Sequence, residues 1–150
     1  MSTRCRIGIR LNHSTKIVSI YCHSDGYPSG VGSILRDYYN TEDKIIKLLN
    51  LGDLSMLGTE PIDSPDLWDF NSGMTELARD RNYEIPLCRT YRGRGEANVG
   101  ARVVENLLEY LKTQGEEYNY LFCDGQWYVV SLRADGVADH KTINEAIEEE

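Results

Sequence analysis

The chain lacks a CxxC motif and any long apolar run, and it has only two phenylalanines and two tryptophans among 150 residues. Its four cysteines lie far apart and its three histidines do not have zinc-ligand spacing, so we expect no metal and no cofactor. Isolated cysteines within apparent strands are typical of reduced core residues. The absence of a long apolar run predicts no signal peptide and no membrane span, hence a cytoplasmic protein.

Basic residues are outnumbered by acidic ones, and 24 acidic side chains against 16 basic ones give a net charge of -8. An acidic surface repels nucleic acid and anionic membranes, so neither is an expected partner, whereas a basic protein surface is a reasonable one. The ten tyrosines are the abundant aromatic residue. An apolar ring with a polar tip suits sheet faces and binding surfaces.

Two hairpins are predicted. Cys5–Leu11 alternates apolar residues with a basic face, and the β-branched run Lys16–His23 supplies its antiparallel partner. The residues of the basic face are Arg4, Arg6 and Arg10. Tyr118 and Tyr120 could share this face as stacking partners, and an ordinary solvated sheet face is the favoured alternative. The second hairpin is predicted over Tyr118–Leu132, because Asp124-Gly125 is typical of a two-residue type I′ turn.

Four helices and one short strand complete the predicted architecture. The helices begin near Ser29, Thr41, Val99 and Thr142, the third extends to about Gln114, and the strand covers Leu87–Arg92. Residues 59–85 contain Pro61 and Pro65 and match no motif. We therefore expect one α+β domain over residues 1–150, an antiparallel β-sheet of the two hairpins and the short strand with helices packed on one face.

The run Tyr21–Gly32 is the first candidate site, because it places polar side chains on a glycine-rich loop between a strand and a helix. The candidate ligand-binding residues here are Tyr21, His23, Asp25 and Tyr27. Gly30 and Gly32 weaken a helix start, which indicates close backbone approach by another element or by an anionic ligand. The alternative is that Asp25-Gly26 only forms a turn and Ser29 caps the helix.

Catalysis is the weaker interpretation of this run. His23 and Asp25 could act as base and orienting group in a hydrolase. However, Ser24 and Ser29 lack the setting of a nucleophile elbow, and neither GK[ST] nor GxGxxG follows. We therefore assign no catalytic residue and expect a binding protein more readily than an enzyme.

The run Arg89–Glu96 is the second candidate site. Its candidate ligand-binding residues are Arg89, Tyr91, Arg92 and Arg94. Guanidinium groups beside glycines suit a phosphate or a carboxylate, although surface arginines on an acidic protein also pair with neighbouring acids. We expect both runs to converge on one pocket, which could lie across the interface of a homo-oligomer.

Four motifs together resemble a family of small proteins encoded by tailed bacteriophages and prophages. They are a YCHxDGYPSGVG-like run at Tyr21–Gly32, a GDLSxLG-like turn at Gly52–Gly58, a YxRxRGE-like element at Tyr91–Glu96 and a YNYLF-DG-xWYV-like hairpin at Tyr118–Val129. The sequence departs from that pattern at Ser24, where an aromatic residue is common, and at Arg92-Gly93-Arg94. The resemblance implies a phage origin and an accessory role in the cytoplasm of an infected bacterium, and it carries over no catalytic residue.

Two functions follow for an accessory protein of this kind. In the first, the protein binds a small anionic molecule such as a nucleotide signal, with arginine on phosphate and tyrosine on the base. In the second, it is an acidic inhibitor that occupies a basic surface of a host defence enzyme. The first predicts a concave site of mixed charge, and the second a convex acidic patch.

Overall fold

The computed structural model describes residues 2–63, 68–69, 73–74 and 87–150. The described strands are β1 (Cys5–Arg10), β2 (Ile17–Cys22), β3 (Leu54–Met56), β4 (Glu60–Asp63), β5 (Trp68–Asp69), β6 (Gly73–Met74), β7 (Leu87–Thr90), β8 (Arg102–Val104), β9 (Tyr118–Cys123), β10 (Gln126–Leu132) and β11 (Ala138–Thr142). The described helices are α1 (Ser33–Tyr38), α2 (Glu42–Asn50), α3 (Leu107–Thr113) and α4 (Ile143–Glu148). Not one of these helices has the length and apolar character needed to cross a membrane.

Within the described residues, nine strands form one mixed sheet in the order β11-β10-β9-β1-β2-β3-β7-β4, and β8 pairs with β2. Both predicted hairpins are confirmed. The second turns through positive φ at Asp124 (52°) and Gly125 (80°), as a type I′ turn requires. However, β1 runs parallel to β9, β2 to β3 and β4 to β7. The α+β class is therefore confirmed, and the purely antiparallel sheet is wrong.

One face of the sheet carries the larger apolar core. Strand alternation directs Cys5, Ile7 and Ile9 into this face, where the first two helices and α4 pack on them. Parallel pairing with β9 sets Ile7 opposite Tyr120, which is fully buried in the same core. The interpretation in which Tyr118 and Tyr120 share the arginine face is therefore wrong, because the register places them on the opposite side.

The other face is half covered by α3. Tyr110 of this helix packs directly over Gly8, where a Cβ atom would lie 3.3 Å from the tyrosine hydroxyl. That hydroxyl donates to the carbonyl of Tyr120 at 3.1 Å. A smaller core forms beneath the helix from Ile17, Val104, Tyr110, Leu111, Leu121 and Val130. The prediction that helices occupy a single face is therefore wrong.

Helix boundaries follow the capping signals in part. Thr41 and Thr142 cap α2 and α4 as predicted, and Thr142 forms a complete capping box with Glu145. Ser29 does not cap, because the chain enters a five-residue π-helical turn at Pro28–Gly32 before α1 begins. The third predicted helix is shorter than expected, because its first residues form β8 and Asn106 caps α3.

Candidate functional site

The run Tyr21–Gly32 is divided between the two faces of the sheet. Tyr21 pairs with Arg6 across β1 and β2, and both belong to the face that α3 half covers. Cys22, the next residue, belongs to the larger core on the opposite face. After His23 the chain turns toward that core face, so the polar residues of the run do not form one surface.

Three aromatic rings come together at the end of β2. The Tyr21 hydroxyl and the His23 Nδ1 atom lie 2.8 Å apart, within hydrogen-bond distance. Tyr21 also stacks on Tyr91, with ring centroids 6.4 Å apart and an interplanar angle of 22°. All three side chains are half-buried, and burial raises the pKa of Tyr21 while the charge of Arg4 lowers it. We call Tyr21, His23 and Tyr91 the aromatic cluster.

Asp53 holds the aromatic cluster together through the backbone. Its Oδ1 atom accepts a hydrogen bond from the Tyr21 amide at 2.9 Å, and its carbonyl accepts one from the Tyr91 amide at 3.2 Å. The preceding Gly52 has a φ of +81°, and a Cβ atom there would lie 2.4 Å from the carbonyl of Val99. Sequence reasoning did not select Asp53, although it lies in the Gly52–Gly58 motif.

The predicted arginines do not join the aromatic cluster as one group. Arg92 binds the C-terminal end of α2, where its Nη1 atom donates a hydrogen bond to the carbonyl of Asn50 at 2.9 Å. That carbonyl is among those left unpaired at a helix C-terminus, so the contact stabilises the fold. Arg89 is exposed on β7, and the side chain of Arg94 lies outside the described part of the chain.

Asp25 and Tyr27 stabilise the turn by which the chain passes from the end of β2 to the core face of the sheet. Asp25 has a φ of +57°, and its carbonyl accepts the Val31 amide at 2.9 Å. Tyr27 is exposed and its ring covers Gly30, where a Cβ atom would lie 2.9 Å from the ring. The carbonyl of Gly26 accepts the buried Tyr120 hydroxyl at 2.7 Å. Contacts within the chain therefore account for this turn.

The anion position predicted at the start of the first helix is filled from within the chain. The amide of Ser29 donates to a carboxylate oxygen of Glu150 at 3.1 Å. Gly32 is likewise close to the chain's own atoms, because a Cβ atom there would lie 3.3 Å from Tyr120 and from Ile143. Of the two explanations for the glycines, approach by another element is the one that these contacts support.

The basic face of β1 contributes two arginines near the aromatic cluster. Arg4 is exposed and lies close enough for its charge to act on Tyr21. Arg6, the strand partner of Tyr21, is only 6% exposed. The period-two pattern of the first strand already placed both on one face, and the pairing with β2 supplies their relation to Tyr21.

Binding is the chemistry that these contacts favour. The hydrolase interpretation needs Asp25 to orient His23, whereas the partner of the His23 ring is the Tyr21 hydroxyl. Among the described residues, no group of three or more histidine, cysteine, aspartate or glutamate side chains could hold a metal ion. The aromatic cluster instead consists of tyrosine and histidine rings, and rings of this kind can stack on a planar ligand.

Comparison of the chain with protein-family models, with curated proteins and with solved structures finds no match.

Proposed function

We propose that this protein is a phage-encoded accessory protein that binds a small anionic ligand with a planar ring, such as a nucleotide signal, in the cytoplasm of an infected bacterium. The observation that carries the proposal is the aromatic cluster, in which Tyr21 stacks on Tyr91 beside His23. Base stacking on such rings is sequence-tolerant and strong, and neighbouring guanidinium groups suit phosphate. The ligand is retained and not converted.

The alternative, an acidic inhibitor of a basic host enzyme, rests on the net charge of -8. Its most concentrated acidic segment is Glu148–Glu150. Two of these three carboxylates already have partners in the chain, because Glu149 binds Lys141 and Glu150 binds the Ser29 amide. This segment is therefore less available to a partner than its composition suggests, which favours the ligand-binding proposal.

The test is retention of a small molecule. The purified protein is incubated with a nucleotide extract from infected bacteria, washed and heated, and the released molecules are identified by mass spectrometry. We expect the wild-type protein to release a nucleotide and Tyr91→Ala to release about five- to 150-fold less, since stacking on one ring contributes about 1–3 kcal/mol per base.

Tyr128→Ala is the matched control. Tyr128 is also half-buried and also contacts a histidine ring, that of His140 at 5.6 Å, but it lies on β10. We expect this variant to retain the nucleotide as the wild type does. Release of no nucleotide by the wild type, or equal release by Tyr91→Ala, contradicts the proposal.

A further inference from the structure

Arg6 is a buried cation whose direct partners are neutral. Its Nε atom donates to the Ser19 hydroxyl at 2.9 Å, and its Nη2 atom approaches the Ser19 carbonyl at 3.4 Å. Within the described part of the chain, no carboxylate lies within ion-pair distance of this guanidinium. Burial lowers the pKa of Arg6. Buried arginines are normally paired with an acid, because an uncompensated charge away from water is costly.

The inner edge of the guanidinium is fixed by a short network. The Ser19 hydroxyl accepts from Arg6 and donates to the Gln114 Oε1 atom at 3.0 Å, just beyond α3. Ser19 is fully buried, so its hydroxyl has a defined environment. This network holds the Arg6 side chain in one orientation, and such preorganisation reduces the entropy lost when a ligand binds.

The outer edge of the guanidinium, at its Nη1 atom, has no hydrogen-bond partner among the described residues. Every fully buried side-chain nitrogen and oxygen in the described part of the chain has a hydrogen-bond partner. Nη1 is therefore not fully buried, and Arg6 belongs to the face that carries Tyr21.

The charges around Arg6 are mixed. Asp53 and Glu116 raise the pKa of Arg6 and Arg102 lowers it, all acting from beyond ion-pair distance. Asp53 already accepts the Tyr21 amide, and Glu116 has its backbone bonded to the side chain of Asn119. Neither acid forms an ion pair with the guanidinium, so its charge has no acidic partner among the described residues.

We infer that Arg6 is the anion anchor of the aromatic cluster, binding one phosphate group of a nucleotide whose base stacks at Tyr21 and Tyr91. This inference rests on the proposed function and names the ligand class more closely, as a phosphorylated nucleoside. Charge-assisted bonds from a guanidinium to phosphate are roughly twice as strong as neutral ones. The anchor therefore makes the phosphate, and not only the base, a determinant of affinity.

The test compares four nucleosides with their 5′-monophosphates by calorimetric titration. We expect at least one monophosphate to bind wild-type protein about ten- to hundred-fold more tightly than its nucleoside, as expected for a hydrogen bond to a charged group. Arg6→Gln should abolish this preference, so that the variant binds the monophosphate no more tightly than the nucleoside. Arg10→Gln is the matched control, since Arg10 is an exposed arginine on the same strand and face.

A second readout uses the wild-type protein alone. The Arg6 Nε–H group, bonded to Ser19, should give a resolved NMR signal that shifts with the monophosphate and not with the nucleoside. Equal affinity of nucleoside and monophosphate, or an unmoved Arg6 signal, overturns the anchor and leaves the base-binding proposal standing. If neither class of molecule binds, the proposed function fails as well.

Discussion

Gly30 lies where the chain crosses from the aromatic cluster to the core face, and its replacement by alanine tests what the glycines are for. An alanine Cβ atom would lie 2.4 Å from the carbonyl oxygen of Asp25. Real Cβ contacts essentially never fall below 3.0 Å, so this carbonyl must retreat by at least 0.6 Å, the difference between these two values. The same carbonyl accepts the Val31 amide at 2.9 Å, so the retreat weakens that bond.

The steric overlap and the weakened hydrogen bond together determine how much Gly30→Ala destabilises the fold. Overpacking of a tight site costs about 1–3 kcal/mol, and the weakened hydrogen bond adds about 1 kcal/mol. Gly30→Ala should therefore lower the free energy of unfolding by about 2–4 kcal/mol, which corresponds to a fall in Tm of roughly 4–16 °C for a chain of this size. Urea unfolding followed by circular dichroism measures the first quantity, and a thermal scan the second.

Gly100→Ala is the matched control. The nearest atom to a Cβ there is the Arg92 Nη2 atom at 3.6 Å, an ordinary contact. We expect the free energy of unfolding to change by less than about 1 kcal/mol, in the stabilising direction, because alanine restricts the unfolded chain. If Gly30→Ala is as stable as Gly100→Ala but binds no nucleotide, the packing explanation is refuted and the glycine serves a ligand.

Three further predictions concern buried hydroxyl, thiol and capping groups. Tyr120→Phe leaves the Gly26 carbonyl without its donor and should destabilise the fold by about 1–3 kcal/mol in urea unfolding. Burial raises the pKa of Cys88 to about 11. At pH 8 a disulfide reagent should therefore modify the half-buried Cys123 in the folded protein and leave Cys88 unmodified. Cys88 should react only after urea unfolds the protein. Hydrogen bonds with the backbone and side chain of Thr142 lower the pKa of Glu145 below its usual value of 4.5. Glu145→Gln should therefore reduce the free energy of unfolding at neutral pH. This difference from wild type should vanish as the pH falls below 4.5 and Glu145 becomes protonated in the folded protein.

Each of these predictions has a result that would contradict it. Tyr128→Phe, which loses only a long exposed contact to Gln126, should leave stability unchanged, and an equal loss in both tyrosine variants would refute the Tyr120 argument. Rapid modification of Cys88 in the folded protein would refute the burial argument. A stability difference at Glu145 that persists at pH 3 would show that its charge is not the cause.

Local signals in the sequence predicted much of the fold. Asp124-Gly125 specifies a hairpin turn from two residues, and Thr142 with Glu145 specifies a helix start from four. These signals succeed because the groups that satisfy them are neighbours in the chain. The alternation in the first strand likewise separated its apolar face from its basic face.

Long-range pairing was not predictable in the same way. Val103 and Val104 continue the apolar stripe of α3, so the sequence pattern predicts a helix there. However, β-branched residues also suit a strand, and these two residues pair with β2 in the structure. The structure has Asn106 as the cap, with its side chain accepting the Glu109 amide at 2.9 Å. Asn106 followed by Glu109 is a capping pattern that could have located the start of this helix.

The candidate site was predictable only in part for the same reason. Tyr21 and His23 are two residues apart at a strand end, so their shared side follows from the sequence. Their contact with Tyr91 depends on Asp53, which binds both segments through bonds between residues far apart in the chain. Arg92 could not be assigned to the end of α2 from sequence, because its partner, the Asn50 carbonyl, is a backbone atom 42 positions away.

Tyr110 and Tyr120 connect the two faces of the sheet through hydrogen bonds, so that both faces belong to one cooperative unit. The Tyr110 hydroxyl, on the α3 side, holds the backbone of Tyr120, whose own hydroxyl holds Gly26 on the other side. Opening α3 or the Gly26 turn separately would leave a buried polar group without its partner. Local unfolding confined to one face of the sheet is therefore disfavoured. Backbone amides on the α3 face and on the face of the Gly26 turn should show slow hydrogen exchange together.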